Sequence, residues 1–343
     1  MNPIFRIFTV ITMAAALLIS CERVDEPSLF PAGRGYFILN EGNYLAGNGS
    51  VSFYNSDTGE MHNDLFTSKN NRALGDIPSF LAVDGDRGFI IVNNSGTVEV
   101  VSLLTMESIA TVTGLNSPRQ MVIQGRKGYI SSLSSNEVTV IDLDRMEVSG
   151  SISIGCTSEA MTISGNKLFS AFWSGGNTII VTDLVTEEVI RTVTVGLEPE
   201  SMVLDRNNRL WVLCTGGWNG EEIPRLVRIN TITFEKEAEM YFRTINDNPS
   251  SLSINAAGDT LYYIDEGIRR MPVTAEELPS EAYIPAGTRL FYKLAAGPGG
   301  EVAVTDAIDY QQTGDFLVYN DKGELTDTEQ AGIIPGFICF MRD

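Results

Sequence analysis

The feature that most constrains this chain is a segment that returns about every forty residues. Ile77-Pro78-Ser79-Phe80-Leu81-Ala82-Val83 recurs as Ser117-Pro118-Arg119-Gln120-Met121-Val122-Ile123 and as Glu198-Pro199-Glu200-Ser201-Met202-Val203-Leu204. It returns as Asn248-Pro249-Ser250-Ser251-Leu252-Ser253-Ile254 and finally as Ile334-Pro335-Gly336-Phe337-Ile338-Cys339-Phe340. Two degenerate copies place Ser158 and Thr288 in the proline position, ahead of Glu159-Ala160-Met161-Thr162-Ile163 and Phe291-Tyr292-Lys293-Leu294. The anchors at 78, 118, 158, 199, 249, 288 and 335 are separated by 40, 40, 41, 50, 39 and 47 residues. A unit this short cannot bury its own apolar face, so copies must stack on one another.

Each anchor opens a short β-branched run, followed by a turn such as Asp84-Gly85-Asp86 and a second run such as Phe89-Ile90-Ile91-Val92. A third run alternates, as in Glu137-Val138-Thr139-Val140-Ile141-Asp142-Leu143, and a fourth, such as Val189-Ile190-Arg191-Thr192-Val193, completes the unit. Four Val/Ile/Thr-rich strands per repeat predict an all-β chain built as a seven-bladed β-propeller over residues 33–343. The ends agree. Tyr36-Phe37-Ile38-Leu39 reads as a second strand with no first strand before it, and the orphan copy at 334–340 supplies the missing inner strand. One blade is thus expected to hold both termini and hide its edges.

The loops divide by composition. Those between first and second strands are plain turns, such as Gln124-Gly125-Arg126 and Ser164-Gly165-Asn166. Those between second and third strands share a face with the loops leading into each blade, and they are richer. They carry Asn43 and Tyr44, Asn94, Asn136, Trp173 and Asn177, Trp218 and Asn219, and Tyr310, while the leading loops add Arg72, Arg119, Glu159, Glu200 and Asn248. Aromatic platforms among neutral hydrogen-bonding groups suit a large, polar, uncharged ligand, and the nine residues of the first set with Arg72 and Arg119 are the candidate ligand contacts. In the competing structural reading, the aromatics pack on neighbouring loops and Asn and Gly only permit tight turns.

Composition narrows the chemistry. The formal charge is −20 with no basic cluster, which speaks against nucleic acid, because phosphate binding depends on Lys and Arg. His62 is the only histidine, so a multi-histidine metal site is impossible and a Ser-His-Asp triad would need that one residue in place. His62 falls in a fourth strand far from the axis, where a solvated surface role is expected. Asp306 and Asp309 lack a recognised calcium spacing. No catalytic residue and no metal site are expected.

The first twenty residues read as a leader. Arg6 precedes an apolar run, Ile7 to Ile19, that is short for a bilayer span and ends at Leu18-Ile19-Ser20-Cys21. That ending resembles the lipobox of bacterial lipoproteins and implies cleavage before Cys21, lipidation of its thiol, and a tether over 21–32; an ordinary secretory leader is the alternative. Losing Arg6 with the leader makes the mature chain one unit more acidic. Cys156, Cys214 and Cys339 then allow at most one disulfide, and small buried hydrophobes are the expected role of at least two.

Taken together, the lipobox, the acidic Glu22-Arg23-Val24-Asp25-Glu26 tether, the segment Phe37-Ile38-Leu39-Asn40-Glu41-Gly42-Asn43, the segment Gly47-Asn48-Gly49-Ser50-Val51 and seven YncE-like blades resemble the BtuG-type surface lipoproteins. The resemblance implies an outer-membrane, surface-exposed, lipid-anchored propeller that binds cobalamin or related corrinoids as ligand, with no cofactor. It implies delivery to a BtuB-like TonB-dependent transporter as partner. On that reading Tyr44, Trp173, Trp218 and Tyr310 pack on the macrocycle or its nucleotide loop. Asn43, Asn94, Asn136, Asn177 and Asn219 bond its amides, and Arg72 or Arg119 meets its phosphate. A glycan-binding propeller using the same aromatics, and a lactonase- or lyase-type propeller enzyme, are the alternatives.

Overall fold

The computed structural model describes residues 33–341; Cys21, the leader and all of the tether before Gly33 lie outside that range. The described chain forms seven four-stranded antiparallel sheets arranged as a seven-bladed β-propeller. Blade 1 runs outward as Pro335–Met341, Gly35–Asn40, Ser50–Asn55 and Glu60–His62, so the last strand of the chain is the innermost strand of the first blade. Ile38 pairs with Ile338 and Phe37 with Cys339 across the closure. The other blades follow in order: their inner strands are Pro78–Asp84, Pro118–Gln124, Met161–Ser164, Pro199–Leu204, Ser250–Ile254 and Phe291–Ala296. The repeat anchors therefore mark the axis.

The core is a ring of apolar layers between neighbouring blades. Phe89, Ile91, Val98 and Val100 of blade 2 meet Met121, Ile130 and Ile141 of blade 3. Phe169, Val181 and Val193 of blade 4 likewise meet Leu210, Val212 and Val227 of blade 5. Each blade buries both faces, which is why its middle strands read as nearly continuous apolar runs. Within blade 3 a glycine gives this layer room: a Cβ on Gly128 would crowd the Met121 and Ile141 side chains.

Third and fourth strands are joined by a recurring turn. The side chain of Asn55, Asp142, Asp183 or Asn230 accepts the backbone N–H groups two and three residues on. The fifth residue (Gly59, Met146, Glu187 or Phe234) then takes a left-handed φ. Side-chain oxygens that mimic a backbone turn explain why Asp or Asn ends these strands. Spacing differences also find their cause. The 50-residue repeat contains the long loop 215–224 of blade 5, and the outermost strand of blade 6 shrinks to Ile284–Pro285.

A helix, Leu65–Asn70, connects blades 1 and 2 and was not expected from the sequence. Six residues are too few to show a 3.6-residue period. Leu65 and Phe66 are buried, and the Arg72 guanidinium lies 4.7 Å from the Phe66 ring.

Candidate functional site

The backbone itself ties the candidate loops to the axis. Ile77, Ser117, Glu198 and Ile334, each just before an anchor proline, have φ between 42° and 59°. Such values strain a non-glycine residue, especially a β-branched one. The four carbonyls accept N–H groups from residues just beyond a second strand: Asn93 to Ile77 (2.8 Å), Leu133 to Ser117 (3.1 Å), Thr215 to Glu198 (3.0 Å) and Glu41 to Ile334 (2.8 Å). In these four blades the loop between second and third strands is thus bonded to the segment leading into the inner strand. Both kinds of candidate loop share one face.

On that face a cavity of about 480 Å³ lies over blades 4 to 7, and Trp173, Trp218 and Tyr310 line it together. Trp218 is 86% exposed at the tip of the 215–224 loop. Gly216 and Gly217 turn this loop with φ of 83° and 98°, and a Cβ on Gly217 would stand 2.1 Å from Glu221 Oε2. Tyr310 packs edge-on against Tyr292, ring centroids 5.4 Å apart, and its loop is shaped by Asp309 accepting the N–H groups of Gln311 and Gln312. Charged groups enter the same wall. Asp265 is buried against Arg269 at 3.3 Å, Arg289 lies 3.3 Å from Asp315, and the Asp247 carboxylate accepts the N–H groups of Arg243 and Thr244.

The remaining candidates are distributed. Tyr44 is 69% exposed on the blade 1 loop, outside the lining of that cavity. The Asn43 N–H donates to Asn48 Oδ1 at 2.8 Å, which folds the loop. The Asn94 amide donates to Asp76, and the Asn219 amide donates to Glu221 Oε1 at 2.9 Å. Asn136 and Asn177 are exposed, and their carbonyls accept the N–H groups of Ile154 and Val195 at the ends of the fourth strands. Arg72 turns away from the cavity to Glu99, a buried carboxylate, at 2.6 Å. Arg119 enters the axial channel and pairs with Glu159, its Nε 2.9 Å from Oε1. Both arginines expected to meet a phosphate are already engaged by carboxylates.

Loop composition placed Arg119, Glu159 and Glu200 on this face, but it did not assemble them into a channel. The channel is a cavity of about 190 Å³ joined to the mouth through Glu200, Tyr292 and Lys293, which line both. Ser79, Arg119, Glu159, Glu200 and Gly336 line it, and each occupies the position just after an anchor. That single column of the repeat was the available signal. Lys293 Nζ lies 3.3 Å from Glu200, and the Tyr292 hydroxyl donates to Glu41 at 2.8 Å. Burial pushes the Glu41 carboxyl above its ordinary value, and Tyr292, Lys293 and Arg119 offset this only in part. Burial also pushes Glu200 up, but Lys293, the Ser201 hydroxyl and the Ser251 N–H outweigh it and hold the carboxyl low. Burial opposes the charge on Lys293, yet the surrounding carboxylates hold its ammonium above the ordinary lysine value.

His62 sits on the outermost strand of blade 1, 4.0 Å from Glu60. Cys156, Cys214 and Cys339 are all free thiols, and burial raises Cys214 to about 12 and Cys339 to about 11. Among the described residues no cluster of His, Cys, Asp and Glu is arranged to hold a metal ion, and no helix is long and apolar enough to cross a membrane.

Residues 34–294 match the model of a protein family described as a domain of unknown function, DUF5074. No curated protein matches the chain. Among solved structures, a quinonprotein alcohol dehydrogenase-like protein from Bacteroides thetaiotaomicron is 14% identical with a TM-score of 0.67, covering 90% of this chain and 78% of that one. A 6-phosphogluconolactonase candidate from Bacteroides fragilis is 15% identical with a TM-score of 0.66, covering 91% and 99%. A second such candidate, from Bacteroides uniformis, is 15% identical with a TM-score of 0.65, covering 90% and 99%. At these identities the likeness concerns the fold alone.

Proposed function

The chain belongs to the DUF5074 family, and we propose that it captures a corrinoid at the mouth of its ring and passes it on unchanged. The observation that carries this reading is Trp218, a large aromatic ring 86% exposed above a cavity it shares with Trp173 and Tyr310. An exposed tryptophan held by a two-glycine turn gains apolar contact only when a ligand covers it. The cavity is open and of moderate size, so a macrocycle would lie across the mouth and send only an arm inward. A ring of interlocked blades loses little conformational entropy on binding, which favours tight capture.

The sequence resemblance supplies the corrinoid, and the lipobox reading of Cys21 supplies an outer-membrane anchor that would hold the ring near a TonB-dependent transporter. Binding without chemistry is supported by the position of His62, the one histidine, at the outer edge of blade 1. A surface glycan would use the same exposed Trp218 as a stacking platform, and that is the second reading.

Calorimetry of the purified protein with cyanocobalamin and with a panel of oligosaccharides separates the two. Saturable heat with the corrinoid and none with the sugars is expected. No heat with any corrinoid sinks the proposal. An absorbance screen for lactone and ester turnover tests the absence of catalysis, and co-purification from detergent-extracted outer membrane tests the transporter.

A further inference from the structure

We infer that the axial channel is a binding site for a small primary amine in its ammonium form. The channel brings Glu41, Glu159 and Glu200 together with two cations, Arg119 and Lys293, so its carboxylates exceed its positive charges by one. The pairing is one-sided. Arg119 directs both Nε and Nη2 to Glu159 Oε1, while Glu159 Oε2 is buried with no hydrogen-bond partner among the described residues. Lys293 is held by Glu200, and Glu200 Oε2 accepts the Ser251 N–H at 3.0 Å. Among the described residues, the side-chain donor to Glu41 is a neutral one, the Tyr292 hydroxyl. A buried polar atom without a partner is costly, and a charged acceptor more so.

Three polar side chains of the walls bond to the protein's own backbone. The Ser79 hydroxyl donates to the Arg119 carbonyl at 3.0 Å, Ser201 Oγ accepts the Leu252 N–H at 3.0 Å, and Gln120 Oε1 accepts the Met161 N–H at 2.9 Å. Among the described residues lining the channel, Glu159 Oε2 is the buried acceptor left without a donor. An anion would have to compete with Glu159 for Arg119 and with Glu200 for Lys293. A coordinated metal ion is disfavoured because these carboxylates, drawn from different blades, do not converge as a ligand set. An ammonium group presents three donors from one centre, and a volume of about 190 Å³ admits it with a short alkyl chain. The route in is the shared wall at Glu200, Tyr292 and Lys293. The inference stands on the channel alone and does not need a corrinoid at the mouth.

A proton and an ammonium would compete for the surplus charge on Glu41. Tyr292, Lys293, Arg119, Glu159 and Tyr310 are the titratable groups that act on it or face it. Because burial already favours its protonated form, amine affinity should rise with pH as that proton leaves.

The test titrates the full chain, in detergent and HEPES, with n-propylammonium and with propionamide, a neutral molecule of similar size. The expected result is saturable one-to-one binding of the amine, about tenfold or more tighter than the amide and tightening from pH 5.5 to 8. Glu159→Gln and Glu41→Gln should each weaken the amine about fivefold or more, with circular dichroism unchanged. Two variants are used because Glu159→Gln also removes a partner of Arg119. Equal binding of amine and amide, undiminished binding in both folded variants, or equal competition by potassium ions overturns the inference.

Discussion

Arg72 offers the sharpest test of how this ring uses its charges. Glu99 is 1% exposed on the third strand of blade 2 and accepts hydrogen bonds from Arg72 Nη2 at 2.6 Å, Thr111 Oγ1 at 2.9 Å and the Ser108 hydroxyl. Arg72→Ala leaves the two hydroxyl donors but removes the only countercharge among these partners. Breaking a fully buried pair costs about 3–5 kcal/mol. The Arg72 side chain is 44% exposed, so water reaches the space it leaves, and the expected loss is about 1–3 kcal/mol. Glu99→Gln in the Arg72→Ala background should recover about 1 kcal/mol or more, because the uncompensated charge is gone. Urea unfolding followed by circular dichroism, with linear extrapolation, measures each corner of the cycle. Corrinoid titration of the same variants should give unchanged affinity. If Arg72→Ala unfolds like wild type and loses ligand, the arginine serves the ligand and the reasoning fails.

Other outcomes follow from the same geometry. Trp218→Ala should leave unfolding within about 0.5 kcal/mol, since the ring is exposed, yet weaken ligand by about 2 kcal/mol, roughly thirtyfold in calorimetry. Gly217→Ala should destabilise the 215–224 loop by about 1–3 kcal/mol through its φ of 98° and the contact with Glu221, and ligand affinity should fall with it. The two channel carboxyls should pull stability in opposite directions with pH. Glu41, raised on folding, contributes stability that is full below its unfolded value and lost as pH rises through its folded one. Glu200, lowered on folding, contributes stability present above its unfolded value and lost as pH falls. Glu41→Gln should therefore make unfolding at pH 8 relatively more favourable to the native state than at pH 4, whereas Glu200→Gln should cost stability at pH 8; urea curves at both pH values decide. The three thiols should react slowly with a disulfide reagent in native protein, Cys214 slowest, because burial disfavours the thiolate; fast labelling of Cys214 would contradict its burial.

Much of the ring was legible because a repeat carries its own alignment. Pro78, Pro118, Pro199 and Pro335 begin inner strands, as read from the spacing. The orphan copy at 334–340 pairs with Gly35–Asn40, because a lone strand lacking its inner neighbour can be satisfied only by closing the circle. The helix Leu65–Asn70 escaped notice because it is shorter than two turns and stands outside the repeat. At the mouth, Trp173, Trp218 and Tyr310 were identifiable from loop composition and do share a cavity. Arg72 and Arg119 look like their exposed counterparts in sequence, and only their partners reveal that each serves a carboxylate.

The amino-acid sequence by itself determined the number of blades, their order, the closing strand and the face on which the varied loops stand. These follow from local strand pattern, turn residues and the spacing of anchors. The tertiary structure decided which polar side chains meet. Glu159 pairs with Arg119 at 40 residues' separation, Lys293 with Glu200 at 93, and Tyr292 with Glu41 at 251. An ion pair between blades depends on how the ring turns each inner strand toward the axis, and no local pattern encodes that. The same closure left the buried Glu159 Oε2 without a partner among the described residues, on a residue that lines the channel beneath the mouth.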